Sequence, residues 1–132
     1  MTTLAISNIR PMGADSTAIL IENGRISAIG GAIPAGVPTL NGGGRLAIPG
    51  LVEAHAHLDK TLWGMTWYRN EVGPRLIDKI DNERAAKRRL GIDPARQSAR
   101  QVALSAGHGT THIRSHVDVD TDGGLAGIEG VM

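Results

Sequence analysis

The stretch "AIPGLVEAHAHLDKT", residues 47–61, ends an apolar run with two histidines, His55 and His57. Residues two apart on a strand project to the same side, so both imidazoles would enter one space. Metal–nitrogen bonds of about 2.0–2.1 Å would then allow both rings to reach a single ion. A lone histidine is more often a structural residue, but this pair in this position predicts a metal site.

Three further polar residues are candidates for the same pocket. Lys60 follows the pair by three residues, where a solvated lysine is favoured over a substrate contact. The segment "TTHIRSHVDVD", residues 110–120, alternates polar and apolar residues as a strand does, and its polar face includes His116 and Asp118. In an α/β barrel, the fold class that the later part of the sequence indicates, charged residues on the inner side are costly unless they are paired or close to a solvated catalytic end. We therefore predict a pocket-lining role for both, with mutual neutralisation of Arg114 and Asp118 as the alternative.

The remaining histidines and the aromatic residues carry weaker signals. His108 and His112 precede or begin the second strand and are predicted to be structural. All the aromatic residues lie within six positions, at Trp63, Trp67 and Tyr68. They would either stack on a ring-shaped substrate or serve ordinary loop packing or an oligomer contact.

Residues 2–46 read as short strands joined by tight turns. "TLAISNIR" and "STAILIEN" are rich in β-formers, and Asn23-Gly24 is a strong hairpin signal. "IPAGVPTLNGGG" is rich in Pro and Gly and is predicted to be a loop. We expect a small antiparallel sheet, and assign residues 1–46 to the first strands of a small β-sandwich domain.

The pattern changes at Arg45 from hairpin signals to an α/β order. "LVEAHA" is predicted to be a strand buried on both faces. Residues 75–90 have apolar positions at helical spacing, and Gly91 stands where that helix would end. Asp93 and Pro94 resemble an N-cap and a first helical position, and so begin a second helix.

A second strand is predicted at residues 110–120, and "LAGIEGVM" at the end of the sequence would open a third helix. Strand, two helices, strand and helix is the order of a parallel α/β fold. Residues 47–132 are therefore assigned to a second domain, with the histidine pair at the carboxyl end of its first strand. In α/β barrels that is the end where active sites lie.

Composition limits the classes of function. The 132 residues carry a net charge of +1, with 41% hydrophobic and 20% charged residues, as in an ordinary globular protein. The basic triplet Lys87-Arg88-Arg89 is read as a solvated helix face, so nucleic acid is not implied. No apolar stretch approaches the roughly 20 residues of a membrane span. Cysteine is absent, which excludes disulfides and thiolate metal sites, and we expect a cytoplasmic protein.

Two motifs in this order, "GGGRLAIPGLVEAHAHLDKT" and "GHGTTHIRSHVDVD", resemble the amidohydrolase superfamily and most closely its cytosine deaminase-like branch. The resemblance covers essentially the whole sequence. It implies the N-terminal part of a (β/α)8 TIM-type barrel, preceded by part of a small β-sandwich. It also implies that His55 and His57 are ligands of one divalent metal ion (Zn, Fe or Mn).

The implied reaction is hydrolysis of a C–N bond in an aminated heterocycle or an amide by metal-activated water. The other deaminase design, which binds zinc through cysteines, is excluded because the sequence has none. For the full-length protein we expect a small-molecule substrate and a homo-oligomer, without nucleic acid or membrane partners. Lys60, His116 and Asp118 remain candidates for contacts with the substrate or with the ligands.

Length is the departure from the family pattern. A complete barrel takes about 250 residues, so the later ligands and the acid/base residue have no counterpart here, and no catalytic residue is identifiable. We expect a truncated chain that is inactive alone. The alternatives are a non-enzymatic remnant of an amidohydrolase, an amidohydrolase acting on a cyclic or linear amide, and a small intact metal-binding module, which two histidines make the weakest.

Overall fold

The computed structural model describes residues 2–132 and divides the chain into two compact units. The first unit ends at Pro49, and the second runs over Gly50–Met132. Both are described separately below. Among residues 2–132, no helix has the length and apolarity needed to cross a bilayer.

The first unit is a four-stranded sheet. Its strands are β1 (Thr3–Pro11), β2 (Thr17–Glu22), β3 (Arg25–Ile29) and β4 (Thr39–Ala47), in the order β3-β2-β1-β4. β2 pairs antiparallel with both β1 and β3, and β4 pairs parallel with β1. The buried side chains of this sheet come from its two central strands, namely Ala5, Ile9 and Ile19.

The predicted hairpin at Asn23-Gly24 is confirmed. Both residues have positive φ angles, 51° and 76°, and they join β2 to β3. Positive φ at both central positions is what a two-residue hairpin turn of the primed type requires, and Asn and Gly adopt it at little cost.

The predicted loop "IPAGVPTLNGGG" is wrong from Thr39 onward, because its second half forms β4. The sheet is accordingly mixed rather than antiparallel. Glycine permits this strand by close approach: a Cβ on Gly42 would lie 2.7 Å from Ile9 Cδ1 and 2.9 Å from the Asn8 carbonyl oxygen. A glycine-rich segment reads as a loop from composition, yet here it allows two backbones to meet.

The second unit is α/β, as predicted. Its elements are strand β5 (Leu51–Ala56), a 3₁₀ turn (Leu58–Lys60), helices α1 (Leu76–Leu90) and α2 (Pro94–Gly107), strand β6 (Thr110–Ser115) and helix α3 (Ala126–Val131). β5 and β6 pair parallel, with both longer helices in the connection between them. This places the residues that follow the two strands at the same edge of the sheet.

The helix boundaries follow the predicted caps. Gly91 has φ 61° in the left-handed region and ends α1, while its N–H contacts the carbonyls of Lys87 and Arg88. The Asp93 side chain accepts a hydrogen bond from the backbone N–H of Arg96 at 3.0 Å, as an N-cap does. Pro94 then occupies the first helical position.

Two predictions about the strands are wrong. β5 was expected to be buried on both faces, but Leu51 and Val52 are 50% and 66% exposed, because β6 is its one strand neighbour among residues 2–132. The strand predicted at 110–120 ends at Ser115. Beyond it the alternation persists for another reason: Asp118 and Asp120 pair with basic side chains of α1.

Candidate functional site

The two histidines lie side by side at the carboxyl end of β5. His55 is in the strand, and His57 directly follows it, just before the 3₁₀ turn. Their ring centroids are 5.4 Å apart and the ring planes are inclined by 59°. Two imidazoles at this separation have the reach to bind one ion, since each metal–nitrogen bond spans about 2 Å.

One ring nitrogen of the histidine pair has no hydrogen-bond partner among residues 2–132. His57 Nδ1 is buried without a hydrogen-bond partner within the described part of the chain. A buried polar atom of this kind is costly unless something binds it or its ring. Glu53, two residues before His55 on the same strand, accepts a hydrogen bond from the His55 backbone N–H at 3.0 Å. Its position was missed, although a period of two along the strand could have indicated it.

A third histidine joins the pair from the neighbouring strand. The His116 backbone N–H donates to the Ala56 carbonyl at 2.8 Å, so the pairing with β5 continues one residue past the end of β6. Its ring stacks on His55, with centroids 4.2 Å apart and planes inclined by 28°, and lies 6.0 Å from the His57 ring. Burial, and next the neighbouring His55, lower the pKa of His116 below its ordinary value.

The fit to a metal ion is therefore that of an incomplete site. Across residues 2–132, no group of three or more His, Cys, Asp or Glu side chains is arranged to hold an ion. His116 presents a ring face to His55 in the stack, which is a packing contact. Two imidazoles on one edge would supply two of the three protein ligands that a catalytic zinc site typically has.

The pair opens into a cavity of about 430 Å³. The polar and aromatic residues that line it include His55, His57, Lys60, Tyr68, Glu83 and Gln101. Among the aromatic residues, Tyr68 belongs to this lining, whereas Trp63 and Trp67 are 53% and 80% exposed. The size suits a small molecule.

Lys60 is not the solvated lysine that was favoured. Its Nζ lies 2.6 Å from Glu83 Oε1 and 2.6 Å from Asp118 Oδ2, and its side chain is 17% exposed. Burial lowers the pKa of Lys60, but the hydrogen bonds to Asp118 and Glu83 outweigh burial and raise it above the ordinary value. The bond to Lys60 likewise lowers the pKa of Asp118.

The acidic segment that follows β6 lies along helix α1. Asp118 and Asp120 are 3.9 Å and 3.6 Å from Lys87 Nζ, Arg84 Nε is 3.4 Å from Asp120, and Arg88 pairs with Asp122. The reading of the basic triplet as a solvated face is thus wrong for Lys87, whose side chain is 24% exposed, whereas Arg88 and Arg89 are exposed as predicted. The alternative pairing of Asp118 with Arg114 does not occur either, because Lys60 and Lys87 take that carboxylate.

The acidic residues also have the Asp-x-Asp-x-Asp-Gly spacing found in calcium loops. Here that spacing serves a different purpose. Each of the three carboxylates faces a lysine or arginine, and Asp120 Oδ1 additionally accepts the backbone N–H groups of Asp122 and Gly123 at 3.0 and 2.7 Å. Ion pairs with lysine and arginine side chains of α1 therefore hold this acidic segment, residues 118–122, against the helix.

Two buried polar residues lie at the loop that follows the histidines, and one of them, Gln97, bonds to it. Asp59 is 4% exposed, and burial raises its pKa above the ordinary value. Gln97 of α2 is fully buried, and its amide donates to the carbonyls of Thr61 and Trp63. Neither residue was predicted; Gln97 gives no local signal, because its partners are more than thirty positions away in the sequence.

Of the predicted site residues, the structure brings together His55, His57, Lys60, His116 and Asp118 on one edge of the β5–β6 sheet. His108 and His112 are exposed and lie away from it, at the end of α2 and in β6. Glu83 and Gln101 come from α1 and α2 and were missed, because helical residues reach the cavity only through tertiary packing.

Solved structures of other proteins match this chain over nearly its whole length. No protein-family model matches the chain. The crystal structure of N-isopropylammelide isopropylaminohydrolase from Burkholderia multivorans ATCC 17616 matches 99% of this chain and 33% of that one, with 47% identity and a TM-score of 0.86. 5-Methylcytosine deaminase from Klebsiella pneumoniae, with bound 5-fluorocytosine, matches 96% and 32%, with 27% identity and a TM-score of 0.69.

A third relative is known by sequence. The Escherichia coli (strain K12) protein YahJ is 28% identical over 100 residues, which are 74% of this chain and 22% of that protein. The chain thus spans about a third or less of the length of the proteins that it matches. The predicted resemblance is confirmed: the solved structures that match this chain are deaminases and hydrolases of the amidohydrolase superfamily, and the chain corresponds to about a third of their length.

Proposed function

We propose that the chain is the metal-binding N-terminal part of a hydrolase that cleaves C–N bonds in small aminated heterocycles. The observation that carries this proposal is the pair His55 and His57, side by side at the carboxyl end of β5 and open to a cavity. The similar proteins from Burkholderia and Klebsiella are named as an aminohydrolase and a deaminase, which supports the same reaction class.

His55 and His57 would hold one divalent ion, Zn, Fe or Mn. Bound by neutral imidazoles, such an ion lowers the pKa of a coordinated water to about 7 and so supplies hydroxide at neutral pH. The chain's own contribution is to fix the two imidazoles on a strand end, where they need not be reorganised on binding. The remaining ligands and the acid/base residue would come from the two thirds of a full-length barrel to which these 132 residues do not correspond.

The architecture proposed for the whole protein is a (β/α)8 barrel with a flanking β-sandwich. Parallel β5 and β6, with two helices in the connection between them, are the arrangement with which such a barrel begins. The four-stranded sheet that ends at Pro49 would then be part of the sandwich. In this assignment residues 1–46 and 47–132 belong to different domains, and the whole protein is a cytoplasmic homo-oligomer.

The substrate would enter the 430 Å³ cavity with its ring close to Tyr68. An aromatic side chain favours a flat heterocycle by stacking. Lys60 lines this space, and His116 and Asp118 would act on it through their contacts with His55 and Lys60, without holding the ion. A cyclic or linear amide is the alternative substrate class.

The experiment is an assay of ammonia release on a panel of aminated pyrimidines and triazines, using a full-length barrel enzyme in which these 132 residues form the N-terminal part. His57→Ala should abolish release of ammonia, while His108→Ala, an exposed histidine of the same chain, should not change it. Full activity of His57→Ala would overturn the proposal. Activity confined to amides would keep the metal site and change the substrate class.

A further inference from the structure

Lys60 lies where three elements meet. It ends the 3₁₀ turn after β5, and its ammonium group bonds to Glu83 of α1 and to Asp118 of the segment after β6, each at 2.6 Å. The side chain is 17% exposed, so these bonds are only weakly screened by water. The turn that follows the histidine pair is therefore fastened to both neighbouring elements through one side chain.

The segment held by Lys60 is the one that presents His116. That residue precedes Asp118 by two positions, and its backbone N–H is anchored on the Ala56 carbonyl at 2.8 Å. The short stretch from His116 to Asp118 is thus fixed at both ends, by Ala56 at one and Lys60 at the other. Between these anchors the His116 ring lies on His55, at a centroid distance of 4.2 Å.

Charge pairing continues the same connection along α1. Beyond Asp118, the carboxylates of Asp120 and Asp122 pair with Lys87 and Arg88. These contacts hold the outer part of the segment to the helix. Lys60 differs from them because it joins the segment to the turn next to His57, on the side of the cavity.

We propose that Lys60 is a positioning residue that, through Asp118, holds the His116 ring against His55. The consequence for metal binding rests on the proposed function: a packed His55 ring has fewer orientations and is pre-organised as a ligand. The ring contact itself is a direct observation and does not depend on that proposal. The ammonium group would then contribute through His55 and not by touching a substrate.

The test is NMR of the full 132-residue chain without metal. Nuclear Overhauser contacts between the ring protons of His55 and His116 report the stack directly. Lys60→Met removes the ammonium group and keeps much of the side-chain length, while Lys60→Arg restores the charge. The matched control is Lys79→Met, a change at an exposed lysine of α1.

We expect the ring contact to be lost in Lys60→Met, kept in Lys79→Met and at least partly restored in Lys60→Arg. An unchanged contact in Lys60→Met, or equal loss in Lys79→Met, would overturn the proposal. If Lys60→Met fails to fold, Glu83→Gln and Asp118→Asn divide the question: only the Asp118 change should disturb the stack. A zinc titration of the wild-type chain separates the two proposals, because absent zinc binding would contradict the metal site while the ring contact remained.

Discussion

The ring of His116 lies on the ring of His55, 4.2 Å between centroids and 28° between planes. The two residues are sixty-one positions apart, on segments that follow parallel neighbouring strands. Parallel pairing of β5 and β6 brings their carboxyl ends to one edge, so the contact follows from topology. It makes the site a cluster of three rings, of which we propose two, His55 and His57, as ligands.

The stack predicts different roles for His116 and His57. His116→Phe should keep the aromatic contact and leave zinc affinity unchanged within error, because a ring face does not coordinate. His57→Ala should weaken zinc binding by at least about tenfold. Even changes to residues that only support a metal ligand cost about 10- to 100-fold in metal affinity. Zinc titrations of both variants measure this. Equal losses in the two would make His116 a third ligand.

The loop after the histidines should depend on the buried amide of Gln97. Gln97→Met leaves two carbonyls, those of Thr61 and Trp63, without their donor and should cost about 1–3 kcal/mol in the free energy of unfolding. Ser98→Ala is the matched change at the next residue of α2. Ser98 Oγ is buried without a partner in the described chain, so that variant should be neutral or more stable.

Urea unfolding at constant pH measures both changes. If Ser98→Ala destabilises as much as Gln97→Met, then packing of α2, and not its hydrogen bonds to the loop, holds that region together.

The ion pairs between the acidic segment, residues 118–122, and α1 predict a pH dependence of the free energy of unfolding. The backbone N–H of Gly123, in first place, lowers the pKa of Asp120 below its ordinary value of 3.8, and Lys87 and Arg84 act in the same direction. A carboxyl group with a lowered folded-state pKa adds stability above its unfolded value and loses it as pH falls through the folded value. Asp120→Asn should therefore be less stable than wild type near pH 7, with the difference shrinking as pH falls below about 3.8 and vanishing only below the lowered folded-state pKa.

The measurement is urea unfolding of wild type and Asp120→Asn between pH 7 and pH 3. Asp15→Asn, at an exposed position of the first unit, is the charge-matched control for the loss of one carboxylate. A gap that persists undiminished at the lowest pH would mean that the carboxylate charge is not what holds the segment.

How far the sequence predicts this site depends on the range of the interaction. Period-two spacing predicts the neighbouring rings of His55 and His57, and the caps at Gly91 and Asp93 are local chemistry. The partners of Lys60 are twenty-three and fifty-eight positions away, so an isolated lysine reads as solvated. Such pairings depend on how α1 and the segment after β6 pack, which no local pattern encodes.

The strand errors have a similar origin. Alternation over residues 110–120 predicted one long strand, but the pattern outlasts the sheet because the carboxylates match cations on a helix. The glycines of β4 reduce strand propensity, and their value appears only where Gly42 approaches the backbone at Asn8. In both places the partner, and not the segment itself, decides the structure.

The 132-residue chain by itself should release no ammonia from cytosine, isoguanine or related heterocycles, with Zn, Fe or Mn added. Two imidazoles hold an ion less firmly than three protein ligands, and no group of three is arranged for it among residues 2–132. Two strands alone would also leave the site open to bulk water, which would weaken electrostatic stabilisation of the transition state. Metal-dependent turnover that disappears in His55→Ala would contradict this expectation.

The most direct test of the account is where a metal ion binds on this chain. Zinc titration of the 132-residue protein, followed by NMR of all five histidine rings, assigns the site without requiring activity. We predict saturation at one ion per chain, with the ring signals of His55 and His57 shifting together and those of His108 and His112 unchanged. The His55→Ala/His57→Ala double variant should abolish the response. Zinc binding that persists in the double variant, or that shifts the exposed histidines first, would contradict the account.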